Sequence, residues 1–141
     1  MPANFIITNQ IEQFQDYTVI PLESDKIQTL RGFYEEIADA LEFPDSFGFN
    51  LDSLEDMLND LSWLEDERIA IYIEDSEQFV LKERNPNKLA TLLDSLDATC
   101  EDWRWADEDG EIPKKELIFV FNYSGRIQNI LESNELNFEE K

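Results

Sequence analysis

The chain has 141 residues, enough for one domain with its own core, and 42% of them are hydrophobic, including ten Phe and three Trp, so its charge does not imply disorder. It carries 33 acids against 11 Lys and Arg, for a formal net charge of −22, and it contains no His. That balance argues against direct binding of nucleic acid or an anionic membrane and favours basic partners, while the missing His removes the commonest general base and metal ligand. No apolar run reaches the length of a membrane span, and the amino terminus lacks the basic and apolar regions of a secretory leader. The single cysteine, Cys100, cannot form an internal disulfide, which fits a reducing compartment, so the expected location is cytoplasmic.

Residues 1–16 read as an amino-terminal addition, in which Phe5 to Thr8 suits a short strand and Ile11 with Phe14 a helical turn. Tyr17 to Leu22 is β-branched and aromatic, and predicts the first core strand. Ser24 or Asp25 can cap a helix from about Lys26 to Leu41, whose Ile27, Leu30, Phe33, Tyr34, Ile37 and Leu41 recur at helical spacing. Pro44 stops that helix at Phe43. Asp45, Ser46 and Gly48 supply turn chemistry, with Gly48 free to take a positive φ.

Asn50 then caps a new helix from Leu51 to about Leu64. At 100° per residue, Leu51, Leu54, Met57, Leu58, Leu61 and Leu64 gather on one side as a core stripe. Asp52, Asp56 and Asn59 gather on the other, joined by Trp63 if the helix runs that far. The two carboxylates are one turn apart, where like charges cost a few tenths of a kcal/mol. On an arbitrary helix of an acidic protein this is a solvated face. Behind a glycine loop flanked by aromatics it also reads as a cradle for a cation-rich partner.

Arg68 to Ile73 is nearly all apolar, as in a strand buried on both faces. Glu74, Asp75 and Ser76 start a short third helix that includes Gln78 and Phe79. Asn85 and Pro86 open a fourth, with Leu89, Leu92, Leu93, Leu96 and Cys100 inward, extending to about Trp105. Trp103 and Trp105 alternate, so they do not share one helical face. Leu117 to Asn122 is the third strand. Strands separated by helices imply a three-stranded parallel sheet in the order 1-2-3 with packed helices, an α/β fold. Residues 124–141 add a helix around Arg126 to Leu131 and an acidic tail.

The stretch from Phe43 to Leu58, F-P-D-S-F-G-F-N-L-D-S-L-E-D-M-L, resembles the core of the barstar family, small acidic inhibitors of barnase-type ribonucleases. The resemblance extends back to about Tyr17 and implies a barstar-like domain over residues 17–123. In that family an aromatic-aromatic-Gly-x-Asn-Leu-Asp-x-Leu-x-Asp segment plugs the nuclease active site, its aspartates standing in for substrate phosphates against Arg and Lys. The match implies those roles for Phe47, Gly48, Asn50, Asp52 and Asp56. Ser46 replaces the first aromatic and Glu55 a position that is often Trp, departures that bear on the target more than on the fold. The family's fourth-helix acid falls near Ala98, with Asp97 the closest acid.

Other constellations are weaker. Cys100 has no His partner and sits on an apolar stripe, so it reads as a packed thiol. Asp107, Glu108, Asp109, Gly110 and Glu116 have some of the character of a calcium loop, but Trp105 would hold the first ligand position and Pro113 interrupts it. Asp52 and Asp56 as a glycosidase pair would need a cleft that nothing in the sequence builds. The expected function is therefore an inhibitor, or immunity protein, that blocks a basic toxin-type or extracellular-type ribonuclease. It would act as a monomer when free, with no cofactor, metal or catalytic residue. The alternative is a binding module of the same fold for another basic protein, again not an enzyme.

Overall fold

The computed structural model describes residues 3–107, 109–110 and 113–141. The apolar runs form five strands: β1 Phe5–Ile7, β2 Thr18–Leu22, β3 Arg68–Ile73, β4 Glu116–Phe121 and β5 Phe138–Glu140. They make one parallel sheet in the order β2-β3-β4-β1-β5. The expected trio is present as the neighbours β2, β3 and β4, in register from Thr18 opposite Ile69 and from Arg68 opposite Glu116. The expectation of three strands is corrected to five. β1 lies inside the sheet, with Phe5 opposite Phe119 on one side and Phe138 on the other. β5 forms one edge of the sheet and β2 the other. The Phe-Glu-Glu sequence of β5 reads as a solvated tail, and charged residues are a common means of blunting an edge strand.

Four α-helices are seen among the described residues: α1 Leu30–Ala40, α2 Leu51–Asp60, α3 Pro86–Arg104 and α4 Gly125–Ser133. The predicted start of α1 is corrected. Ser24–Lys26 is a separate 3₁₀ turn, and the cap is Thr29, whose Oγ1 accepts the Gly32 amide at 2.9 Å. Gly32 lets that turn close, because a Cβ there would sit 2.3 Å from the Lys26 carbonyl oxygen. The expected third helix is a single 3₁₀ turn, Ser76–Gln78.

The main core lies between the sheet and the helices, where Phe5, Phe33, Phe79, Phe119 and Phe121 are fully buried. A smaller cluster of Ile6, Phe14, Ala70, Ile118 and Val120 lies apart from it. Phe14 comes from the 3₁₀ turn Ile11–Phe14, so the expected helical turn supplies a side chain to this second cluster. β3 and β4 contribute alternate residues to the two clusters, which explains their nearly unbroken apolar sequences.

Two indoles satisfy carbonyls at helix ends. Trp63 Nε1 donates to the Leu41 carbonyl, just beyond α1, at 2.8 Å, and Trp103 Nε1 donates to the Leu58 carbonyl of α2 at 2.7 Å. The last carbonyls of a helix have no intrahelical donor, and a buried one left unpaired costs about 1–3 kcal/mol. Trp103 is buried whereas Trp105 is 69% exposed. Trp103→Phe, which keeps most of the apolar bulk but removes the donor, should therefore lower stability by about 1–3 kcal/mol, read as a reduced urea midpoint.

Candidate functional site

The site is built on the amino-terminal end of α2 and the loop before it. Asn50 adopts an extended conformation, and its Oδ1 accepts the Ser53 amide at 2.8 Å, the predicted cap. The loop folds back onto this cap: the Gly48 amide donates to Ser53 Oγ at 2.8 Å, and Asn50 Nδ2 donates to the Gly48 carbonyl at 3.2 Å. Gly48 does not take a positive φ. Its role is close approach, since a Cβ there would lie 3.1 Å from Asn50 Nδ2. The left-handed conformation falls on Phe49, at φ 54°.

α2 ends at Asp60 rather than near Leu64. Leu61 turns left-handed at φ 50° and its amide closes on the Met57 carbonyl. Leu54 and Leu58 are fully buried, which turns Asp52, Asp56 and Asn59 outward to solvent. Neither Asp52 nor Asp56 has an ion-pair partner among the described residues. Asp60 continues the series one turn further, but its Oδ1 accepts the Ser62 amide at 3.3 Å, so this carboxylate is engaged locally.

Two expected members of the site are not on the outward face of α2. Trp63 is beyond the helix end, held by the Leu41 carbonyl and set edge-on to Phe43 at 6.0 Å, so it does not join the acidic face through α2. Phe47 is buried, with ring contacts to Tyr34, Phe43 and Phe49. It holds the loop from inside, while Ser46 is exposed.

Glu55 is turned toward α3, where its Oε1 accepts the Ser95 hydroxyl at 2.5 Å. This bond supplements the Trp103 contact and sets how α2 lies on α3. Asp97 points away from that seam: its Oδ1 accepts Asn4 Nδ2 at 2.9 Å, and burial pushes its carboxyl up despite that bond. Ala98 is exposed. Cys100 is buried and desolvation raises its thiol well above the ordinary range, as expected of a packed thiol. Of the acidic loop at 107–110, Glu108 lies outside the described residues. Among the described residues no cluster of acids or Cys could hold a metal ion, and no helix is long and apolar enough to cross a membrane.

One contact beside the loop is invisible to helical periodicity. The Arg31 guanidinium of α1 lies over the Phe49 ring, 4.4 Å from its centroid. The aromatic directly after Gly48 was the available signal, but its partner lies 18 residues earlier on another element.

The comparison with curated proteins gives no match. A solved structure of the Aeropyrum pernix ORC2 protein, in ADPNP–ADP complexes, is similar with a TM-score of 0.58 at 13% identity. The likeness covers 99% of this chain but only 41% of that one, and at this identity it concerns the fold alone. The family model described as "Barstar (barnase inhibitor)" matches residues 17–118, which takes in β2, the capped loop, the acidic face of α2 and the start of β4, and the chain belongs to that family.

Proposed function

We propose that this protein is an inhibitor that blocks the active site of a barnase-type ribonuclease, with Asp52 and Asp56 occupying the positions of substrate phosphates. The observation that carries this reading is a pair of outward carboxylates, one turn apart and without internal cations, on a helix held at both ends. Asn50 and Gly48 shape the entering loop, Phe47 supports it from beneath, and Asn59 extends the polar face. Carboxylate–guanidinium pairs are short, strong and geometrically demanding, so a fixed pair of acids suits a site built for phosphates. The net charge of −22 would steer a basic nuclease toward it, and barnase with barstar is itself a known case of such steering.

Ser46 and Glu55 favour a second reading, in which the same face serves another basic protein. Ser46 offers no ring to a partner, and Glu55 is drawn to Ser95. A ribonuclease assay with the free protein added separates the readings, since only the first requires loss of RNA cleavage. Nucleotide binding is not carried over from the ORC2 neighbour, because this sequence has no G-x-x-x-x-G-K-[ST] loop to cradle phosphates.

Asp56→Ala should weaken inhibition by about 2–5 kcal/mol, because it leaves a cation of the nuclease buried and unpaired. Glu12→Ala, in the turn that supplies Phe14 to the smaller cluster, should leave inhibition nearly unchanged. Titrating the nuclease with each variant gives the comparison, and equal losses would contradict the assignment. The association rate should fall steeply as salt is raised while dissociation changes little, since exposed charges beyond about 8 Å are screened at physiological ionic strength. Stopped-flow mixing across a salt series measures both rates.

A further inference from the structure

Arg31 is at odds with its surroundings. It is a cation in the first turn of α1, where the helix dipole disfavours positive charge. It stands beside the loop of a protein whose proposed target is basic, so simple electrostatics would have it removed. Its Nε donates to Glu35 Oε1 at 2.8 Å, while its side chain remains 65% exposed. Among the described residues neither terminal nitrogen has a hydrogen-bond partner. Four of the five guanidinium N–H groups are thus without a hydrogen-bond partner among the described residues, and the guanidinium lies over the Phe49 ring.

The ring beneath is also held at a cost. Phe49 has φ 54°, a conformation rare for a bulky residue, and unlike Leu61 it does not close a helix. Phe47 packs on it at 4.8 Å, and Asn50 caps α2 directly after it. α1 and the loop therefore place a planar cation over an aromatic ring directly before the cap of α2.

We propose that Arg31 on Phe49 is a specificity element of the inhibitory face, which takes a carboxylate presented by the target nuclease at the rim of its active site. A guanidinium fork with free parallel N–H groups matches a carboxylate in two-pronged geometry. A nuclease lacking that acid meets an unpaired like charge and is rejected. This inference rests on the inhibitor reading, and its test separates the two.

The test measures the dissociation constant for a purified barnase-type ribonuclease with wild type, Arg31→Ala, Phe49→Gly, Lys88→Ala and Asp56→Ala, together with each variant's urea midpoint. Arg31→Ala should weaken binding by about tenfold or more with an unchanged midpoint, the loss expected for charge-assisted hydrogen bonds. Phe49→Gly, which accepts the left-handed backbone, should weaken binding in the same direction. Lys88→Ala, an exposed cation on α3, should leave binding equal or slightly tighter because it only adds to the net negative charge. Arg31→Ala behaving like Lys88→Ala would overturn the proposal, because the guanidinium would then be a bystander that steering prefers removed. Failure of wild type to bind, or full binding by Asp56→Ala, would instead bring down the inhibitor reading and this inference with it.

Discussion

The hydrogen bond from Trp103 to the Leu58 carbonyl holds the carboxyl end of α2 on α3, and the orientation of the acidic face depends on it. A ten-residue helix has little intrinsic stability in water, so its position must come from its ends and its buried stripe. Asn50 closes the first turn, Leu61 and Trp103 satisfy carbonyls of the last, and Leu54 and Leu58 fill the core between. With those contacts set, helical periodicity leaves Asp52 and Asp56 no direction but outward. In the proposed role the two carboxylates would need to hold their geometry within about half an ångström, which a helix tied at both ends favours.

The electrostatics run against local stability. Five basic residues elsewhere pair with nearby acids: Lys26 with Glu23, Arg31 with Glu35, Arg68 with Glu116, Arg104 with Glu101 and Lys141 with Glu139. Arg68 also lies over the Tyr17 ring at 4.3 Å, so its charge is used within the fold. α2 receives no such compensation, and Asp52, Asp56 and Asp60 follow one another at the spacing where like charges repel. Two hydrophobic clusters oppose this repulsion, and the uncompensated field is what a basic partner would meet.

Much of the scaffold was legible because its signals are local. The Asn50 cap, the Asn85–Pro86 start of α3 and the apolar runs of β3 and β4 all fell where propensity and periodicity put them. Features set by tertiary contact were not. α2 stops at Asp60 through a left-handed Leu61 and a bond from an indole 45 residues away. The positive φ falls on Phe49 rather than Gly48, where a Cβ would lie 3.1 Å from Asn50 Nδ2. β5 reads as an acidic tail and becomes a strand only through pairing with Phe5, Ile6 and Ile7. Trp63 shares a helical stripe by periodicity with Asp56 and Asn59, and the early end of α2 separates them.

If Asp56 serves a partner and not the fold, its removal should cost the free protein nothing. The most direct measurement is urea unfolding of wild type and Asp56→Ala with no nuclease present. Asp is a poorer helix former than Ala by roughly 0.5 kcal/mol, and Asp52 one turn away adds repulsion that the change removes. The expected midpoint for the variant is equal to or slightly above that of wild type. A clearly lowered midpoint would make Asp56 a structural residue and contradict the functional reading of this face.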